Sequence, residues 1–184
     1  MFIIKNNYYL YIKNLKDINI QSFKIKNKIN IIYRNLKYKN INELIEFKKM
    51  CQQKSIKLFI ANNLYVAKKI KANGLYISAY NKKKYFSNIL KIGSAHNVKE
   101  FKEKINQNCK EIIFSRLFQT NYPYKKSFLG VIKFNLLSIN LKKNIIPLGG
   151  INHNNLMKLN IVKSKGCAFF SCLKKKPAIS NRLF

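Results

Sequence analysis

The sequence predicts an α/β fold, specifically a compact (β/α)8 TIM barrel in which some helices are reduced. Eight short apolar runs alternate with helical or polar stretches, as in parallel β/α units. The seventh run ends at Gly149 and Gly150, and Ser171 follows the eighth. Paired glycines after a buried strand let backbone N–H groups approach a ligand, and the last two loops of such barrels frequently bind phosphate. The chain has 184 residues, whereas these barrels usually need about 200 to 250, so several crossovers must be short.

The eight predicted strands are the apolar runs with strand character. They cover residues 8–12, 29–34, 57–61, 74–78, 90–94, 111–115, 145–148 and 166–170. Three helices are predicted between them, at residues 41–53, 64–71 and 98–108, where apolar side chains recur at helical spacing. Asn97 is a plausible N-cap of the third helix.

The other crossovers are short. After the first strand, only residues 17–23 are available to form a crossover helix. A short amphipathic segment with Leu156 and Leu159 follows the seventh strand, and a basic stretch follows Ser171. No linker separates these segments, so we expect residues 1–184 to form a single domain.

The chain has a net charge of +31, with 37 basic residues and 6 acidic ones. Such a charge suits nucleic acid or an anionic membrane. However, the lysines are spread over almost every segment, and Asn and Ile are also overused. This pattern favours a compositional bias over a dedicated nucleic-acid surface, so nucleic acid is the last of the partners we consider.

The four cysteines lack the paired spacing of a zinc site. No apolar run approaches the length of a membrane span, and no signal peptide is evident. We therefore expect reduced thiols in a cytoplasmic protein.

Candidate site residues lie where the strands end, because the active site of a β/α barrel is at the carboxyl ends of its strands. Arg34 ends a buried strand, where an unpaired charge is unfavourable, so we assign it an anion-binding role. His96 begins a helix and is either a site residue or a capping or packing residue. Asn62 and Asn63 either bind a ligand or cap the next helix.

Short motifs at successive strand ends carry a family resemblance. They are Lys57-Leu58-Phe59-Ile60-Ala61-Asn62-Asn63, Gly74-Leu75-Tyr76-Ile77, Ser94-Ala95-His96, Phe118-Gln119-Thr120 with Lys125 and Lys126 after it, and Leu148-Gly149-Gly150-Ile151. In this order, over residues 29 to 173, the chain resembles the thiamine phosphate synthase and TenI-like family of small (β/α)8 barrels.

The resemblance implies a transferase of thiamine biosynthesis, whose synthase members join a pyrimidine pyrophosphate to a thiazole phosphate with Mg²⁺ held by carboxylates. TenI-type members instead tautomerise the thiazole phosphate, using an imidazole for proton transfer. By resemblance, the catalytic residues are Arg34, Ser94 and His96. The residues that bind substrate or phosphate are Asn62, Asn63, Thr120, Lys125, Gly149, Gly150 and Ser171.

The sequence departs from the family pattern at the metal site. Asn63 and Asn81 stand where the family has metal-binding Asp residues, and none of the six acidic residues is placed to substitute for them. At the second strand only Arg34 of the pyrophosphate motif is retained, and Tyr122 replaces the second Thr of the later loop. We therefore expect a drifted active site with weak Mg²⁺ dependence.

Three functions stay open on the sequence, all with phosphorylated thiamine precursors as partners. The chain is a synthase, a TenI-like tautomerase that uses His96, or a non-catalytic barrel that binds a precursor. The oligomeric state is open as well.

Overall fold

Eight parallel strands follow one another around a closed ring in chain order, which confirms the predicted (β/α)8 barrel. The structure is a computed structural model that describes residues 5–23, 28–35, 40–120, 127–141 and 143–169. The strands are β1 (Asn7–Ile12), β2 (Ile29–Tyr33), β3 (Lys57–Ala61), β4 (Gly74–Ile77), β5 (Leu90–Ala95), β6 (Glu111–Ser115), β7 (Asn144–Leu148) and β8 (Gly166–Phe169).

The first strand closes the ring. Tyr8 of β1 is paired in register with Ile29 of β2 on one side and with Cys167 of β8 on the other. The observed strand limits differ from the predicted ones by a residue in places. For example, β2 ends at Tyr33, so Arg34 lies just beyond its carboxyl end, on the rim of the barrel.

Four α-helices lie in the described part of the chain: α1 (Ile41–Gln53), α2 (Leu64–Lys69), α3 (Val98–Asn106) and α4 (Gly130–Leu141). The first three confirm the predicted helices, although α2 and α3 end earlier than predicted. Asn97 caps α3, because its side chain accepts a hydrogen bond from Glu100 N. None of the described helices is long and apolar enough to cross a membrane.

Helix α4 was not predicted. Its apolar residues lie nearly all round the helix, with Ile132, Leu136 and Ile139 exposed and Phe134 buried, so no one-sided pattern marks it. Elsewhere the crossovers are reduced as expected. Short 3-10 segments follow β1 (Leu15–Asp17 and Ile20–Ser22) and β7 (His153–Ile161), and residues 78–89, between β4 and β5, contain no helix.

The barrel interior is apolar and rich in aromatic side chains. It is filled by Tyr9, Tyr11, Ile32, Phe59, Ala61, Tyr76, Ile92, Ile113, Ile146 and Ala168. At the end where the strands begin, the Tyr9 hydroxyl donates a hydrogen bond to Glu111. Burial and the adjacent Glu111 carboxylate raise the pKa of Tyr9. This carboxylate is therefore engaged at the base of the barrel, opposite the strand exits where ligands bind.

Candidate active site

Asn62 organises the rim where β3 and β4 end. Its backbone is in the left-handed region (φ 58°), which Asn tolerates better than most residues. Its Oδ1 accepts hydrogen bonds from Ser78 N (2.9 Å), Ser78 Oγ (3.1 Å) and Asn81 Nδ2 (3.0 Å). Its Nδ2 lies 2.7 Å from Ser78 Oγ and 3.2 Å from the Tyr80 hydroxyl. The Asn62 side chain thus joins both strand exits through neutral groups.

Tyr85 and Asn81 complete this network. The Tyr85 hydroxyl donates to the Asn62 carbonyl (2.9 Å) and accepts from Asn81 Nδ2 (2.9 Å). The Asn81 carbonyl in turn accepts from Lys104 Nζ (2.8 Å) and Gln107 Nε2 (2.9 Å) of the α3 region. Lys104 is buried, and this burial lowers its pKa. Hydrogen bonds therefore connect the β4–β5 crossover, which contains no helix, to both the β3 exit and the α3 region.

The amide oxygens at this rim do not fit a carboxylate-held Mg²⁺. Asn62 Oδ1 accepts three hydrogen bonds, Asn63 Oδ1 caps α2 by accepting from Val66 N (3.0 Å), and Asn81 Oδ1 accepts from Lys83 N (2.9 Å). For Asn63 the capping alternative therefore holds. All six acidic residues are described, and none lies at the β3 or β4 exit. Within the described ranges, no cluster of three or more His, Cys, Asp and Glu side chains could hold a metal.

The His96 side chain contacts Ser115, a residue that was not among the predicted site residues. Its Nδ1 lies 2.5 Å from Ser115 Oγ at the end of β6, and Ser115 is buried. The His96 backbone N–H donates to Glu100 Oε2 (2.7 Å), which fixes the residue at the start of α3. The imidazole is thereby oriented through one ring nitrogen at the exposed rim.

Ser94 and Arg34 lie near a pair of tyrosines at the top of the barrel interior. Ser94 lies beside Tyr76 and acts to lower the pKa of its phenol. The Tyr11 hydroxyl lies 3.2 Å from that of Tyr76, with the two rings edge to face at 5.4 Å. Burial raises the pKa of both phenols, and the nearby Arg34 guanidinium opposes this shift. Tyr11 and Tyr76 thus form an aromatic floor, with Arg34 and Ser94 beside it.

The glycine turn after β7 is packed tightly against the β6 exit. Gly149 and Gly150 have φ values of 98° and 70°, a region that strongly favours glycine. Phe118 N donates to the Gly149 carbonyl (3.0 Å). A Cβ on Gly150 would lie 2.4 Å from the carbonyl oxygens of Phe118 and Gln119. Only glycine fits at this position.

Arg116 was not among the sequence-predicted site residues, although it lies against the turn. Its Cγ would be 2.9 Å from a Cβ on Gly149, and its Nη1 donates to Thr120 Oγ1 (3.0 Å). Thr120 is therefore placed beside the glycine turn through Arg116. Lys125 and Ser171 lie outside the described residues, so the predicted meeting of the glycine pair with Ser171 stays a prediction.

Residues 9–173 match the family model described as thiamine monophosphate synthase (TMP-TENI). The chain belongs to this family. A curated relative, the thiamine-phosphate synthase of Methanococcus vannielii, is 24% identical to this family member over 147 residues, which are 75% of this chain and 71% of the relative.

Solved structures support the fold of this family member. A thiamine phosphate pyrophosphorylase from Pyrococcus furiosus superposes with a TM-score of 0.73 at 14% identity, covering 96% of this chain and 91% of that one. The thiamine phosphate pyrophosphorylase of Bacteroides thetaiotaomicron gives 0.61 at 12% identity, covering 96% and 93%. A KDPG aldolase from Legionella pneumophila gives 0.64 at 16% identity, covering 96% and 87%. Because an aldolase fits this well, the fold alone does not identify the reaction.

Proposed function

We propose that this family member couples a pyrimidine pyrophosphate to a thiazole phosphate, with the thiazole phosphate bound at the turn of Gly149 and Gly150. The observation that carries the proposal is this turn, in a chain that matches the synthase family. It lies at the carboxyl end of β7, where β/α barrels bind phosphate, and the contact with the β6 exit requires the absence of side chains.

The proposed reaction is a substitution at the methylene carbon of the pyrimidine. The carbon–oxygen bond to pyrophosphate breaks, and its electron pair leaves with the pyrophosphate. The thiazole nitrogen then donates its lone pair to the carbocation and becomes quaternary, so no base is required. Arg34, Thr120 and Lys125 are assigned to the leaving group, and the floor of Tyr11 and Tyr76 is assigned to the flat rings, because π faces stabilise nearby positive charge.

We further propose that coupling in this family member depends only weakly on Mg²⁺. The oxygens of the rim amides already accept hydrogen bonds, and a hard cation prefers charged oxygens. The test is formation of thiamine phosphate by purified protein across a Mg²⁺ titration that begins with EDTA. We expect product without added Mg²⁺ and little stimulation above it. Coupling that is absent at every Mg²⁺ concentration would remove the synthase assignment.

A variant with Asn63→Asp and Asn81→Asp provides a matched comparison. Both changes nearly conserve size, and an Asp at position 63 keeps a capping oxygen. With two carboxylates at the rim, we expect coupling to become stimulated by Mg²⁺. If wild type and variant respond alike, the amides do not account for the metal response.

The contact between His96 and Ser115 favours a second candidate, TenI-like tautomerisation of the thiazole phosphate. An imidazole held by Ser115 at Nδ1 is a candidate for proton transfer. Deuterium exchange and isomerisation, followed by NMR, should slow in both His96→Ala and Ser115→Ala. Unchanged isomerisation in His96→Ala excludes this candidate. If calorimetry detects binding of phosphorylated precursors while neither reaction turns over, the non-catalytic alternative is correct.

A further inference from the structure

We infer that Arg116 binds the phosphorylated ligand between the β6 exit and the β7 turn, where it supplies positive charge at a site without a carboxylate-held metal. This inference rests on the proposed function, since it concerns how the same site holds its anionic substrates. It adds a binding residue that none of the sequence motifs indicated.

The Arg116 side chain contacts two of the predicted phosphate-binding residues, Gly149 and Thr120. The aliphatic part of the side chain lies on Gly149, and Nη1 donates to Thr120 Oγ1 at 3.0 Å. The backbone is held as well, since Leu129 N donates to the Arg116 carbonyl (3.0 Å). The side chain is half-buried. It is therefore positioned before a ligand arrives, which reduces the entropy lost on binding.

The composition of the chain gives an independent reason. The sequence has 34 lysines but only three arginines, at positions 34, 116 and 182. With a compositional bias this strong, we expect lysine at every position where a simple positive charge is enough. A planar guanidinium differs because it donates two parallel hydrogen bonds to a phosphate. Arg34 and Arg116, the two arginines in the described residues, lie just past the carboxyl ends of β2 and β6.

The charges near the site point the same way. The rim side chains Asn62, Ser78 and Asn81 carry no charge, Tyr9 hydrogen-bonds the Glu111 carboxylate of β6, and the His96 backbone hydrogen-bonds the Glu100 carboxylate of α3. The negative charge of a phosphate or pyrophosphate must then be balanced by protein cations. Arg116 is the described cation that touches both Thr120 and the glycine turn.

The test measures binding of inorganic pyrophosphate and inorganic phosphate by calorimetry at fixed ionic strength. The variants are Arg116→Gln, Arg116→Lys and, as a control with the same charge change, Lys133→Gln on the exposed side of α4. We expect Arg116→Gln to weaken binding about ten- to hundredfold, since a hydrogen bond to a charged group is lost. Arg116→Lys should recover only part of this affinity, and the control should stay within about twofold of wild type.

Each outcome decides the inference separately from the synthase assignment. Weakened binding in Arg116→Gln supports it even if wild type fails to couple the two substrates. Equal affinities for Arg116→Gln and Lys133→Gln overturn it, as does a wild-type protein that binds neither anion. If Arg116→Gln does not fold, Arg116→Lys decides the matter, because a lysine that fully restores wild-type affinity shows that the guanidinium has no special role.

Discussion

Replacing Gly150 by alanine tests the packing of the glycine turn. The new Cβ would lie 2.4 Å from two backbone carbonyl oxygens of the β6 exit, Phe118 O and Gln119 O. Neither can swing away, unlike the end of a flexible side chain. Alanine would also have to adopt a φ of 70°, which is unfavourable by about 1–2 kcal/mol.

Gly130 offers a matched control for this substitution. Its φ is 68°, nearly the same as that of Gly150, but a Cβ there would meet nothing within 4 Å. Gly130→Ala should therefore lose only the conformational term of about 1–2 kcal/mol. Gly150→Ala adds overpacking of about 1–3 kcal/mol, for a total of about 2–5 kcal/mol.

Urea unfolding of the two variants beside wild type measures both free-energy changes. The difference between them isolates the clash with the β6 exit, and in a chain of this size each kcal/mol corresponds to about 2–4 °C in Tm. If Gly150→Ala is no less stable than Gly130→Ala, the turn does not press against the β6 exit. The argument for a backbone phosphate site would then lose its geometric basis.

Two further predictions concern the rim network and the buried thiols. Asn62→Gly tolerates the φ of 58° but removes the acceptor of Ser78 N and one of the two acceptors of Asn81 Nδ2, so we expect a loss of about 2–4 kcal/mol in urea unfolding. Asn108→Gly, with a φ of 57° at an exposed turn, is the control and should change stability by less than about 0.5 kcal/mol; equal effects would contradict the network. Burial raises the pKa of Cys51 to about 12 and that of Cys109 to about 11, from 9.0, so both thiols should resist iodoacetamide at pH 8 until the chain unfolds, as read by site-resolved mass spectrometry. Because these pKa values are raised in the folded state, the neutral thiols make their full contribution to the free energy of unfolding below pH 9. Above pH 9 this contribution falls by about 1.4 kcal/mol per thiol per pH unit, and it is lost as the pH rises through the folded-state values of about 11 and 12. Rapid labelling of the native protein would contradict the raised pKa values.

Much of the fold could be predicted from the sequence because its signals are local. The apolar runs predicted all eight strands, and one-sided apolar spacing together with the Asn97 cap predicted α3. Helix α4 lacked such a signal, since its apolar residues cover most of its circumference. The amphipathic pattern that identifies a surface helix is absent there.

The sequence predicted where along the strands the candidate site residues lie, but not which side chains they contact. The strand-exit rule and the family motifs placed Asn62, His96 and the glycine pair at strand ends, where the structure has them. Their partners depend on which side chains neighbouring exits bring together, and sequence spacing does not show this. Tyr85 contacts Asn62 although the two are 23 residues apart in the sequence, and Ser115 contacts His96 across a separation of 19 residues. The scarcity of arginine is a signal that could have indicated Arg116, but it was not used in the prediction.

The amide and hydroxyl network at the β3 and β4 exits has a consequence for the living cell. Its side chains Asn62, Ser78 and Asn81 gain or lose no proton in mildly acidic or alkaline surroundings, and they need no ion to hold them together. In a rim built on paired carboxylates, loss of the divalent ion would leave two like charges that repel each other. This rim should instead keep its shape when magnesium is scarce or the pH falls.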